Sequence, residues 1–208
     1  MTDRLLPNYA VFASGSGTIF QSILDAQAKE KVAGRLVLFV TDEPNCQAKK
    51  RAEQAGVETQ VFSIQSYPQK KAREEAILEI LTEKNVDFIV LSGYMQLLSS
   101  YFIRHYPEKI INTHPSLLPA FKGIEAVKRA FDYGVKITGC TVHIVNEEMD
   151  GGPILLQQPV RVLPGDSVTC LHEKIKVEER KLVVKALNAL LKGNITMQNQ
   201  HRWVMKDA

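Results

Sequence analysis

The stretch Tyr9-Ala10-Val11-Phe12-Ala13-Ser14-Gly15-Ser16-Gly17-Thr18 decides the fold class. Tyr9 to Ala13 is an apolar run that reads as a short strand. A turn with Gly15 and Gly17 follows, and from about Ile19 to Lys29 the pattern is helical. Strand, glycine turn and helix in that order form the unit from which parallel α/β sheets are built. Backbone N–H groups at such a helix start can cradle an anion. The loop is not a Walker sequence, because no Lys follows it. It also lacks the third glycine of the dinucleotide fingerprint, since position 20 is Phe. Two readings stand: a site for a single phosphate, or a tight strand–helix turn without a ligand.

Working outward, the alternation continues. Leu36–Val40, Val57–Phe62 and Val86–Leu91 read as strands. Cys46–Gln54 and a long segment from about Tyr67 to Lys84 read as helices. In the longer helix Ala72, Ala76, Ile77, Ile80 and Leu81 form the expected inner face, and its Lys/Arg/Glu run the solvated one. Ser99 is placed to cap a short helix ending near His105. Tyr94 to Leu98 reads as a pocket wall or as plain core. Lys122 reads as a charge on a flexible turn, and Gly123–Tyr133 is predicted helical. The strands 138–145 and 154–162 follow one another without an intervening helix, so antiparallel pairing is expected there. Ser167 caps a helix running to about Leu191, which Gly193 ends. Residues 195–197 and 202–204 suggest a terminal hairpin in which Trp203 packs.

Ile110-Ile111-Asn112-Thr113-His114-Pro115-Ser116-Leu117-Leu118-Pro119 carries the chemistry. An apolar strand over Lys109–Ile111 ends where Asn112 and His114 stand two residues apart, on one side of an extended chain. An amide N–H can steady a developing oxyanion, and an imidazole can move a proton near neutrality. The same pair is equally a capping Asn and a His satisfied by backbone. Asp150, in the acidic loop Asn146 to Pro153, is by itself a turn residue. Beside His114 it would orient the ring and raise its pKa. Glu179 falls beside the apolar stripe of the last helix, either at its edge or aimed into a site.

The chain has 208 residues and a net charge of +3, from 26 basic and 23 acidic side chains, too slight a bias to indicate a nucleic-acid surface. Cys46, Cys140 and Cys170 are odd in number and widely spaced. That fits a reducing compartment and suggests neither a disulfide framework nor a zinc site. No apolar run is long enough for a membrane span, and the apolar residues after Met1-Thr2-Asp3-Arg4 are too few for a signal peptide. A cytoplasmic location is expected, with no membrane partner and no metal.

Several of these stretches together resemble the formyltransferase superfamily and, within it, the folate-dependent phosphoribosylglycinamide formyltransferases. They are Ala13 to Gly17, Leu91 to Met95, Asn112 to Pro119, Gly139 to His143 and Asp150 to Ile154. The resemblance covers residues 8 to 205. It implies a single Rossmann-like α/β domain over 1–208: a mostly parallel sheet with helices on both faces and antiparallel additions in the C-terminal half. A phosphate-binding half (about 8–110), a folate and catalytic half (about 86–192) and a small hairpin (about 193–205) are expected within it. It implies that Asn112, His114 and Asp150 are catalytic, His114 partly charged through Asp150, and that Gly15, Ser16, Gly17, Thr18 and Ile19 hold a substrate phosphate. Glu179 would hold the substrate amine, while Met95, Gln96, Leu97, Leu98 and Val145 would line a site for 10-formyltetrahydrofolate as co-substrate. Glycinamide ribonucleotide is the implied acceptor, and the protein a monomer or homodimer. Phe121 to Val127 resembles the loop that covers the site. The chain departs from the family's pattern at Ile19, where Asn is usual, at Gln96, where Arg is frequent, and after Glu179. A formyltetrahydrofolate deformylase and a non-catalytic nucleotide-binding domain are the alternatives. Methionyl-tRNA formyltransferase shares the core but adds an RNA-binding domain for which 208 residues leave little length.

Overall fold

The computed structural model describes residues 6–199 and 202–205. The chain forms two compact units that meet in sequence at Ile110/Ile111. The first holds β1 (Asn8–Phe12), α1 (Thr18–Ala28), β2 (Arg35–Thr41), α2 (Gln47–Gln54), β3 (Thr59–Val61), α3 (Lys70–Glu83), β4 (Phe88–Leu91) and α4 (Ser100–His105). Its strands lie in the order β3-β2-β1-β4, every neighbouring pair parallel. The glycine loop therefore leaves the C-terminal end of a strand flanked on both sides. α1 turns Phe20, Ile23 and Leu24 inward at helical spacing. Phe20 stacks on Phe39 of β2 at 4.8 Å between ring centres. Cys46 and Ser99 cap α2 and α4 through their side chains.

The helix α3 corrects the sequence reading. Ala72 is exposed, whereas Arg73 and Glu74 are buried, and the inner stripe is Arg73, Glu74, Ile77, Leu78, Leu81. Charged groups enter an apolar interior only when their hydrogen bonds are met. Arg73 donates to the Tyr67 carbonyl (3.1 Å) and to Gln96 Oε1 (3.2 Å). Glu74 accepts from the Ser99 amide (2.8 Å) and the Ser99 hydroxyl. Periodicity counts apolar residues and so overlooks an inward face that includes hydrogen-bonded charged groups.

The second unit begins within β5 (Ile110–His114). It continues through α5 (Ala126–Tyr133), β6 (Ile137–Ile144), β7 (Ile154–Arg161), α6 (Val168–Leu191), β8 (Ile195–Asn199) and β9 (Arg202–Met205). β5 pairs antiparallel with β6, β6 with β7 and β8 with β9, while β7 and β9 are parallel. The parallel strand–helix alternation and the later antiparallel strands are those of the predicted α/β class. β5 runs on through His114, further than the apolar run alone marks. α5 starts at Ala126 because Glu125 takes a left-handed φ of 54°. Ser167 caps α6, and the terminal hairpin is present. The Trp203 side chain and residues 1–5 lie outside the described part. Cys46, Cys140 and Cys170 are free thiols. Among the described residues no helix is long and apolar enough to cross a membrane, and no cluster of three His, Cys, Asp or Glu side chains could hold a metal.

Candidate active site

In the second unit β5 sets Asn112 and His114 on one side, and the antiparallel register brings His143 of β6 opposite Asn112. The His143 Nδ1 lies 2.9 Å from the Ile144 carbonyl, which can only accept, so Nδ1 carries the proton. Its Nε2 lies 3.2 Å from the Asn112 side-chain nitrogen and accepts that N–H when the ring is neutral. This orients Asn112 and leaves its second amide N–H for another acceptor.

Asp150 reaches the cluster from the loop after β6, in a left-handed conformation with φ 50°. Gly152 makes that approach possible, since a Cβ there would collide with the Ile144 carbonyl. The carboxylate sits 3.3 Å from His114 Nδ1 and 3.5 Å from His143 Nε2, and accepts the Gly123 amide at 2.8 Å. Burial pushes the Asp150 pKa up. The His143 contact, the Gly123 N–H and the charge of His114 pull it down further, leaving it at about 2. The His114 Nε2 meets the Phe121 carbonyl at 2.9 Å. Acceptors on both nitrogens favour the charged ring, but His114 is only 5% exposed, and burial prevails: its pKa is lowered. The expectation that Asp150 makes His114 partly charged is thereby corrected. Desolvation opposes the carboxylate and exceeds it.

The chain leaving β5 is pinned by Thr141 of β6, whose hydroxyl donates to the Ser116 carbonyl (2.7 Å) and accepts the Leu118 amide (3.1 Å). Gln157 of β7 also bonds the Leu118 carbonyl at 2.9 Å. Lys122 is not a free charge on its turn, since it pairs with Glu148 at 2.6 Å. Val145 lies just past the end of β6, half-buried.

Glu179 stands in the buried stripe of α6 and is only 4% exposed. Among the described residues it makes no hydrogen bond to Asn112, His114 or Asp150. Burial raises its pKa to about 7, against a smaller lowering by Lys176 and Arg180. A raised folded-state pKa favours the neutral acid, so this contribution is whole below the ordinary value of 4.5 and is lost as pH rises through about 7. Glu179→Gln should accordingly match the wild type in stability at pH 4 and exceed it at pH 8, by about 3 kcal/mol. Urea melts at the two pH values check this, and an equal difference at both would contradict it.

In the first unit the glycine loop has the geometry of an anion site. Gly17, at φ 67°, precedes α1, and no side chain caps that helix. Its amides therefore point out of the helix start without a side-chain acceptor. A Cβ on Gly17 would stand 2.7 Å from the Ala48 Cβ, so glycine is required for α2 to pack there. Arg51 of α2 donates to the Ser16 carbonyl at 3.0 Å and to the Gln21 side chain at 2.7 Å, bracing the loop with a positive charge. Ser16 and Gly15 are exposed, Thr18 and Ile19 half-buried. Met95 and Leu97 are 73% and 62% exposed, while Gln96 and Leu98 are half-buried. Met95 and Leu97 are thus open apolar surface and not core. Sequence reasoning missed Arg51 and His143 as site residues. Nothing in the local pattern marks Arg51, but His143 alternates with Thr141 on a strand already quoted.

The chain belongs to the formyl transferase family, whose pattern matches residues 7–187. Within it the chain groups with the phosphoribosylglycinamide formyltransferases. It is 40% identical to the phosphoribosylglycinamide formyltransferase of Bacillus subtilis over 186 residues, covering 89% of this chain and 95% of that one. The structure of glycinamide ribonucleotide transformylase 1 from Symbiobacterium toebii is similar with a TM-score of 0.93 and 37% identity, over 97% of this chain and 95% of that one. The chain also aligns at 37% identity with the trifunctional purine biosynthetic protein adenosine-3 of Bos taurus, spanning only 20% of its length.

Proposed function

We propose that the protein transfers the formyl group of 10-formyltetrahydrofolate to the primary amine of glycinamide ribonucleotide. The observation that carries the reading is the convergence of Asn112, His114 and Asp150 on one edge of β5, with His143 orienting the amide. The amine attacks the formyl carbon, and the carbonyl oxygen gains negative charge. The second N–H of Asn112 and the Nε2–H of His114 donate to that oxygen, the latter exchanging the Phe121 carbonyl for it. The buried ring of His114 takes up a proton as charge develops, and Asp150, still ionised, stabilises the imidazolium. The C–N10 bond of the folate breaks, and the proton lost by the amine reaches N10 through His114 and water. No covalent enzyme intermediate and no metal are required.

The substrate phosphate binds the amides of Gly15, Ser16, Gly17, Thr18 and Ile19, and Glu179 holds the amine. Met95, Leu97, Leu98 and Val145 present apolar surface to the folate, with Gln96 behind them. The protein works on small molecules in the cytoplasm, as a monomer or homodimer, without nucleic acid or membrane.

Consumption of 10-formyltetrahydrofolate with and without glycinamide ribonucleotide tests the reading. Amine-dependent loss, with a formylated ribonucleotide as product, is expected. Equal loss without amine, giving formate, would make the protein a deformylase. Ile19→Asn adds a side-chain amide at the phosphate loop. It should tighten ribonucleotide binding by roughly tenfold and leave kcat unchanged, as befits one hydrogen bond to a charged oxygen. An unaltered dissociation constant would show that the backbone donors already saturate the phosphate.

A further inference from the structure

We infer that Arg73, Gln96, Asp42 and Ser14 form a positioning relay that sets the backbone of the folate wall, an inference that rests on the folate reading above. Every link has one possible direction. Arg73 can only donate, and does so to Gln96 Oε1 at 3.2 Å. That fixes the Gln96 amide, whose Nε2 donates to Asp42 Oδ2 at 2.8 Å. The other Asp42 oxygen accepts the Ser14 hydroxyl at 2.5 Å. Ser14 Oγ in turn accepts the Met95 amide at 2.8 Å. The Ser14 amide also donates to the Gly93 carbonyl at 3.1 Å, so Ser14 grips this segment at two points.

The relay is buried where it begins and ends: Arg73 and Asp42 are 5% exposed and Ser14 8%. What it holds is the reverse, since Met95 and Leu97 flank Gln96 and are largely exposed. A buried network with every member satisfied rigidifies what it touches, and a broken one is costly. Ser14 also opens the glycine loop, so one carboxylate serves both the loop and the wall. The relay gives the departure at position 96 a physical meaning. Arg at 96 would set guanidinium donors against the donors of Arg73 and leave Arg73 with the Tyr67 carbonyl but without its side-chain acceptor. In this chain the buried cation comes from α3, and beside Asp42 residue 96 has to be an amide.

The test is a compensating pair. Gln96→Glu sets a carboxylate against Asp42. Asp42→Asn sets an amide N–H against that of Gln96. The double variant restores donor to acceptor throughout, because the carboxylate introduced at position 96 accepts both from Arg73 and from the amide introduced at position 42. Two readouts are taken on the whole chain: hydrogen exchange at the Met95 amide, and tetrahydrofolate binding by calorimetry. Each single variant should exchange faster at Met95 and bind tetrahydrofolate more weakly, by about tenfold or more, and the double should recover most of both. Gln96→Arg should behave like the single variants despite its added positive charge. Unchanged exchange in the singles, or no recovery in the double, overturns the relay. A wild type that does not bind tetrahydrofolate overturns the folate reading instead, and exchange at Met95 then decides the relay alone.

Discussion

Asn112→Ala should lower kcat by about a hundredfold to a thousandfold, the roughly 2.7–4 kcal/mol that an oxyanion donor contributes. The ground for so large an effect is the hydrogen-bond arithmetic of the cluster. His143 is anchored through Nδ1 to the Ile144 carbonyl and holds one N–H of Asn112 on Nε2. The amide is therefore oriented before substrate arrives, and its second N–H needs no reorganisation. KM for both substrates should change much less than kcat, because the contact strengthens only as the oxygen becomes anionic. Asn112 is half-buried, so the thermal midpoint should move little. Near-normal turnover would remove Asn112 from its assigned role. A variant that turns over slowly but also melts early would point to a structural role through His143.

Asp150→Asn is the second large effect, a loss of about a hundredfold to ten-thousandfold in kcat, the range of general acid–base catalysis. Burial already lowers the His114 pKa, and the Asp150 charge works against that lowering. Without the carboxylate the imidazolium that forms in the transition state is buried with one charge partner fewer. The pKa of His114 falls further, so the acidic limb of the rate profile should move to lower pH while the plateau drops. The stability effect has its own sign. A carboxylate held at about 2, below its ordinary 3.8, contributes stability above pH 3.8 that disappears as pH falls through 2. Asp150→Asn should thus be less stable than wild type at neutral pH and converge with it on strong acidification. A rate profile of unchanged shape would break the pairing with His114.

Several parts of this protein are legible because the signal is local. Ser99 and Ser167 stand directly before helices that their hydroxyls cap. Phe20, Ile23 and Leu24 repeat at the spacing that buries one face of α1. Asn112 and His114 share a side of β5 by the two-residue period of a strand. The pattern of α3 misleads at Arg73 and Glu74 because their partners, Tyr67, Gln96 and Ser99, are scattered along the chain. Gln96 looks like a missing cation, and only its neighbours show the cation one helix away.

The sequence by itself determined the alternation of strands and helices, the glycine turn before α1 and the presence of an amide and an imidazole on one strand. Each follows from the geometry of a few consecutive residues. Tertiary structure alone decided that Asp150 and His143 join that pair, that Arg73 lies buried against Gln96, and that His114 is held towards its neutral form. Those facts depend on groups dozens of residues apart and on the water excluded around them. Charge state and hydrogen-bond partnership are properties of an environment, and that environment forms only when the chain is folded.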